Sequence, residues 1–296
     1  MKQKVRNKNT DIDNVLPPVA ELIKTAKHTK LIYTNLDGES CKFDYKDLVT
    51  LDPYPIPMPI DREGYGSIDN SHHHWATGYG DWLNVKTAID RFGIKQANKN
   101  KLFDFGCASG RFLRQVDVFS DLEAHGCDFA PANVNWVKRH LSSKLEVIQN
   151  SADTSLPYDD GYFDVVTAFS VLTHIDEEEE DWLIELRRIT HPEGLLYITT
   201  QNEAAWKLIP NRPGSLAHLK RANQLNKSID ITPEIFQKGL PEDRMVFHVS
   251  TDDVYNCNVW HTNNYIKNKW SKHFDILQIA DNAHTGFQSP VIMRPK

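Results

Sequence analysis

The chain has 296 residues, 40% of them hydrophobic and 25% charged, with a formal charge of −6 and a pI near 6.1. That length can bury a full core, the composition is that of an ordinary globular protein, and the acidic balance argues against a broad nucleic-acid footprint. No apolar run approaches the ~20 residues that span a bilayer, residues 1–14 lack the apolar core of a signal peptide, and Cys41, Cys107, Cys127 and Cys257 are scattered without a C-x-x-C pair. Neither a disulfide framework nor a zinc site is indicated, and a reduced, cytoplasmic protein without membrane insertion is expected.

In chain order, residues 1–14 read as a solvated polar tail, and a helix is expected from Leu16 to about Lys30. Asp52-Pro53-Tyr54-Pro55-Ile56-Pro57-Met58-Pro59 alternates proline, which dictates an extended strap. Gly64 to Gly80, rich in Gly, Tyr and His, reads as a loop. His72-His73-His74 makes no metal set there, because consecutive residues diverge and no spaced ligand completes one. Asp81 to Phe92 carries Trp82, Leu83, Val85, Ala88, Ile89 and Phe92 at helical spacing and stops at Gly93.

Lys101 to Leu113 organises the rest. It reads as a strand (Leu102, Phe103, Phe105) bearing Asp104 near its end, then a loop from Gly106 to Gly110, then a helix. The two glycines let backbone approach a ligand, and the unpaired N–H groups of a helix start suit a carboxylate or phosphate. The spacing is Gly-x-x-x-Gly, not the G-x-G-x-x-G of a dinucleotide fold. Asp104 would also repel a pyrophosphate by about 4 kcal/mol at ~4 Å and an effective dielectric near 20. A ligand with an ammonium and a sulfonium, such as S-adenosylmethionine (SAM), would instead favour that acid. The alternative is a strand-turn-helix with no ligand.

Strands are expected at Leu122 to Cys127, Leu145 to Gln149, Phe163 to Phe169 and Leu195 to Thr200, with helices between, one of them opened by Pro131. Asp176 and Glu179 have capping-box spacing at the start of a helix carrying Trp182, Leu183, Leu186 and Ile189. Pro192-Glu193-Gly194 reads as the turn that ends it. The alternation predicts a doubly wound, mostly parallel α/β sheet, whose ligands bind at the carboxyl ends of the strands. Asp104, Asp128, Asn150, Phe169 and Ser170 all fall at such ends. Residues 201–260 break the pattern with polar helical pieces and prolines, as a cap would. A helix at Asn263 to His273 and strands at Phe274 to Ile279 and Ser289 to Met293 predict a terminal antiparallel pair. Asp128 follows Gly110 at about the distance of a ribose-binding acid; its other reading is a turn-forming acid before Pro131.

Five stretches in this order, FDFGCASGRFLRQ, HGCDFAPANVNWVKRHL, LPYDDGYFDVVTAFSVLTHID, WLIELRRITHPEGLLYITT and HTNNYIKNKWSKHFDILQIADNAHTGFQSPVIM, resemble the class I SAM-dependent methyltransferases. The third and fourth resemble a bacterial subgroup with Ser-Val-(Phe/Leu)-Thr-His and Trp-Leu-x-Glu-Leu motifs. The resemblance implies a Rossmann-like seven-stranded sheet, with 1–75 as an N-terminal extension, 76–296 as the transferase domain and 201–260 as a substrate cap. It implies that Asp104, Gly106, Cys107, Ala108 and Gly110 face the methionine part of SAM, that Asp128 holds the ribose, and that Phe129 lies against the adenine. Asn150 and Ser151 stand where the family often has an acid at the adenine amine, with Asp153 offset; Phe169, Ser170 and Val171 would line the methyl-donor site. Ala108 stands where the family has Gly, and Glu193 stands in its Pro-Gly-Gly turn.

Methyl transfer to oxygen needs a base. His174 is the candidate, with His248 and His261 as alternatives. Trp75, Tyr79, Trp206, Tyr255 and Trp260 offer flat faces to an acceptor or to packing. The subgroup implies a small-molecule or glycan-related acceptor. The alternatives are a SAM-binding or fold-only interaction protein without turnover, and a nucleotide-cofactor oxidoreductase.

Overall fold

The computed structural model describes residues 13–26, 28–62, 71–94, 100–226, 229–249 and 257–296. The helix expected from Leu16 does not form. Val15–Pro18 is strand β1, followed by one turn of helix α1 (Val19–Leu22) and a 3-10 turn. The Pro17-Pro18 pair explains the difference, because a residue before proline is pushed out of the helical region while proline itself is tolerated at a helix start. β2 (Lys30–Thr34) and β3 (Ser40–Asp44) form a hairpin, and the proline-rich strap contains β4 (Pro55–Pro57), which pairs antiparallel with β1.

Helix α2 runs from Ser71 to Phe92, so residues 71–80 are helical rather than loop. The expected loop also covers 64–70, which lie outside the described residues. Gly78 and Gly80, which suggested a loop, serve close packing. A Cβ at Gly78 would meet the Arg111 carbonyl oxygen at 2.5 Å, and one at Gly80 would touch Leu31 at 3.4 Å.

From here the alternation holds: β5 (Lys101–Phe105), α3 (Leu113–Phe119), β6 (Glu123–Asp128), α4 (Pro131–His140), β7 (Glu146–Gln149), β8 (Phe163–Ala168), α5 (Glu179–Ile189) and β9 (Thr190–Thr200). After α6 (Glu203–Leu208), α7 (Pro213–Asn226), α8 (Ile235–Lys238), β10 (Arg244–His248), β11 (Cys257–His261) and α9 (Asn263–Lys269) come β12 (Phe274–Ile279) and β13 (Ser289–Pro295). The central sheet is seven-stranded, in the order β12-β13-β9-β8-β5-β6-β7. β13 is antiparallel to both neighbours, and the remaining pairs are parallel. Side chains alternate across it, as a period of two requires. Leu102, Val165 and Tyr197 join the core under α2, α3 and α4, while Phe103, Val166 and Ile198 join the core under α5 and α9.

Two local expectations are corrected. β9 continues back through Pro192-Glu193-Gly194, with a register shift against β8 between Phe163 and Val165, instead of a turn. The Asp176–Glu179 capping box is also absent, since no side chain caps α5. Glu179 is buried, and its carboxylate accepts from Trp270 Nε1 (2.9 Å), His261 Nε2 (2.8 Å) and Arg244 Nε (2.8 Å), while Asp176 accepts from Arg244 Nη1 (3.0 Å). The Arg244 guanidinium on β10, His261 on β11 and the Trp270 indole just after α9 occupy the carboxylate in place of the helix's own N–H groups. The acidic run thus ties α5 to the hairpin of β10 and β11. Between 201 and 260, Trp206, Phe236, Phe247 and Trp260 close a separate apolar cluster.

Candidate donor-binding site

Asp104 sits near the carboxyl end of β5, 2% exposed. Thr167 Oγ1 on β8 donates to its Oδ1 at 2.8 Å. Burial pushes its carboxyl up to about 7; the Thr167 hydroxyl and Arg111 oppose that rise, and Asp81 and Asp128 add to it. The loop that follows turns through positive φ three times, at Gly106 (+76°), Ala108 (+48°) and Gly110 (+76°). Gly106 has a packing reason too, because a Cβ there would overlap a Val171 methyl, and one at Gly110 would meet Leu141 at 2.5 Å. Ala108 has no such freedom and holds a left-handed conformation that an L side chain disfavours. Cys107 is buried, its N–H donates to the Cys127 carbonyl (2.8 Å), and burial pushes its thiol well above the ordinary range, with Asp128 and Asp104 adding to the shift.

On the adjacent strand Asp128 closes the loop from the other side. Its Oδ2 accepts from the Ala108 N–H (2.8 Å), and its Oδ1 accepts from the Ala130 N–H (2.9 Å) and Asn133 Nδ2 (3.0 Å). Its role as a turn-forming acid is therefore real, and it joins Asp104 at one loop. Asn150 lies beside it, donating its N–H to the Asp128 carbonyl (3.3 Å), and Phe129 is half-buried at the end of β6. Ser151 is exposed, and its hydroxyl bonds Asp153 (3.2 Å). Beyond β8, the Phe169 ring packs among Phe112, Tyr197 and His284. Ser170 adopts φ +60°, with its N–H donating to Thr199 Oγ1 (2.8 Å) and its hydroxyl to Gln288 Oε1 (3.0 Å).

The histidine candidates lie by the cap hairpin. His174 Nδ1 is 2.8 Å from the Cys257 carbonyl, His261 bonds Glu179, and His248 is 3.6 Å from Asp176. Of the aromatic candidates, Trp75 and Tyr79 stack on each other under the strap and Trp206 meets Trp260 edge-on in the cap cluster; Tyr255 lies outside the described residues. Among the described residues no group of three or more His, Cys, Asp or Glu could hold a metal ion. No described helix is long and apolar enough to cross a membrane.

Three buried groups escaped the sequence reading. Arg111 Nη2 lies 2.7 Å from Asp81 Oδ2, and Asp81 Oδ1 accepts from His284 Nδ1–H at 2.8 Å. The only signal for Arg111 was its position directly after Gly110. His284 is 203 residues from Asp81 in sequence, and no local pattern joins them.

Residues 103–198 match the family model described as a methyltransferase domain. That stretch is similar to a methyltransferase domain. The match covers β5 through β9, the part of the domain that holds the two acids and the loop. Among solved structures, the chain is similar to a Pyrococcus horikoshii protein (19% identity over 73% of this chain and 92% of that one, TM-score 0.46). It is also similar to a SAM-dependent methyltransferase from Methanosarcina mazei (16% identity, 66% and 92%, 0.46) and to a glycopeptide N-methyltransferase (11%, 74% and 90%, 0.46).

The residues at these strand ends suit SAM. Two acids meet at the loop from Gly106 to Gly110, and Ser109 Oγ and Asn150 Oδ1 are buried without a hydrogen-bond partner among the described residues.

Proposed function

We propose that the protein transfers a methyl group to an oxygen of a small-molecule or glycan-related acceptor, with residues 76–296 as the transferase domain, 1–75 packing on it and 201–260 capping the acceptor site. The observation that carries this reading is the meeting of Asp104 and Asp128, from adjacent parallel strands, at one glycine-lined loop. SAM supplies the methyl group on a sulfonium, and transfer is an in-line displacement that needs alignment and exclusion of water. Asp104 offers a carboxylate to the ammonium, and the Gly106–Gly110 backbone, with Cys107 and Ala108, shapes the cradle. Asp128 serves the ribose hydroxyls, Phe129 the adenine face, and Asn150 and Ser151 the adenine edge. Phe169 and Ser170 stand on the methyl side.

His174 takes the acceptor's proton in this scheme. A carbonyl only accepts, so the contact with Cys257 fixes the proton on Nδ1 and leaves the basic lone pair on Nε2. Calorimetric titration with SAM, its demethylated product and NAD tests the donor site, and micromolar binding of the first two without NAD is expected. Binding of NAD alone would refute it. An acceptor screen with His174→Asn then tests the base, which contributes roughly 10²–10⁴-fold in turnover; unchanged turnover would remove His174 from the mechanism.

A further inference from the structure

Gln288, the last residue of the loop between β12 and β13, is held by the carboxyl ends of two parallel strands. Its Oε1 accepts from Ser170 Oγ, just after β8 (3.0 Å), and from Thr199 Oγ1 on β9 (2.7 Å), while Thr199 Oγ1 accepts the Ser170 N–H (2.8 Å). Two hydroxyl donors fix which end of the amide is oxygen, so the other end carries the N–H donors. That Nε2 group makes no hydrogen bond among the described residues, and the side chain is half-buried. The groups beside it are donors too. Arg212, just after the 3-10 turn Ile209–Asn211 of the cap, lays its guanidinium over the Phe287 ring (Cζ 4.9 Å from the centroid), and its Nη2 donates to the Gly286 carbonyl (2.6 Å). Arg212 is half-buried and makes no ion pair among the described residues. Phe287 meets Trp260 edge-on (6.1 Å), and the Trp260 Nε1–H is buried without a hydrogen-bond partner among the described residues.

The seam between the cap and this loop therefore gathers a guanidinium, an amide NH2 and an indole N–H, and no described carboxylate answers the guanidinium. The chain as a whole carries a formal charge of −6, so an unanswered cation here is not for want of acids. Leaving a cation without a counter-ion, or a buried N–H without an acceptor, costs free energy that an oxyanion would recover. An arginine fork matches both carboxylate and phosphate oxygens, and an amide NH2 beside it can donate to the same group. The seam starts one hydrogen bond from Ser170, the residue that stands on the methyl side of the donor.

We propose that this seam binds an anionic group of the acceptor, a carboxylate or a phosphate, with Arg212 recognising its charge and the Gln288 amide orienting it. The proposal deepens the acceptor reading above and rests on it. Its test uses the full chain saturated with S-adenosylhomocysteine, titrated by calorimetry with glucuronate, glucose 6-phosphate and glucose. At least one anionic sugar should bind 10-fold or more tightly than glucose, and which one does separates a carboxylate from a phosphate. Arg212→Met should weaken that sugar about 10- to 100-fold, the range of hydrogen bonds to charged groups, and leave glucose unchanged. Gln288→Glu keeps an oxygen for the Ser170 and Thr199 hydroxyls but puts a like charge where the N–H donors were, and should also weaken only the anionic sugar. Lys220→Met, on the exposed side of α7, removes the same unit of charge and should leave the preference intact. Retained S-adenosylhomocysteine binding is the check that each variant folds. Where Arg212→Met fails it, Arg212→Lys, which keeps the charge and loses the fork, should weaken the anionic sugar alone. Equal binding of all three sugars, no binding of either anionic sugar, or a preference that survives the Arg212 substitution would overturn the proposal while leaving the donor site intact. Wild-type protein that does not bind S-adenosylhomocysteine would overturn the donor-site reading, and the proposal with it.

Discussion

Ala108 is the sharpest test of the loop, because it stands where the resemblance implies glycine and the structure places it at +48°. The left-handed conformation costs an L residue roughly 1–2 kcal/mol, which glycine does not pay. Glycine instead adds about 0.4–1 kcal/mol of unfolded-chain freedom. Ala108→Gly should therefore be neutral to stabilising, by roughly 0–1.5 kcal/mol. Little methyl burial is lost, since Ala108 is only half-buried. Ala88→Gly is the control. Ala88 is buried inside α2, where glycine costs about 1 kcal/mol in helix propensity alone. Urea unfolding of both variants gives the comparison. If Ala108→Gly lost as much stability as Ala88→Gly, the strained loop would be wrong.

Asp104→Asn tests the buried acid. The Asp104 carboxyl is raised to about 7 from the ordinary 3.8, so the folded state holds its proton longer than the unfolded chain. Its stabilising contribution is full below pH 4 and is lost as pH rises through 7. The variant should flatten that slope in melting temperature between pH 4 and 7, and an unchanged slope would assign it elsewhere. Burial opposes the charge of Glu179, yet His261, Trp270 and Arg244 hold its carboxyl at about 2. Glu179→Ala should therefore destabilise by about 3–5 kcal/mol, and a loss under 1 kcal/mol in denaturant unfolding would refute that anchoring role. Arg114 Nε and Nη2 donate to the two Asp52 oxygens at 2.8 Å, both side chains being buried. Arg114→Met leaves that carboxylate with Trp75 Nε1 and without its cation, and should cost about 3–5 kcal/mol by the same measurement. Arg114→Met together with Asp52→Leu should recover most of the loss, and no recovery would refute the pairing.

The sheet was legible because its signals are local. Leu102-Phe103, Val165-Val166 and Tyr197-Ile198 sit in short continuous apolar runs, which mark strands buried on both faces and need no partner to be read. Asp104 and Asp128 were legible from their distance to the loop. The start of α2 was not, because Gly78 and Gly80 look like loop formers until the neighbouring Arg111 backbone and Leu31 explain their small size. The capping box failed for a similar reason. Its spacing is a local pattern, but Glu179 is claimed by Arg244, His261 and Trp270 from distant parts of the chain.

Two of the departures from ordinary local preference fall at the carboxyl ends of adjacent strands. Ala108 and Ser170 both hold positive φ, at the ends of β5 and β8, and Asp104 between them is buried with a single hydroxyl donor and a raised pKa. Strain and unneutralised charge persist only where the surroundings enforce them. Much of that enforcement comes from before β5. Arg111 and Arg114, flanking Phe112 and Leu113, pair with Asp81 of α2 and Asp52 of the strap. A cut at residue 75 would run through α2 and separate Asp52 from Arg114. The segment before the strand-loop-helix thus braces the residues that follow the loop through two buried ion pairs.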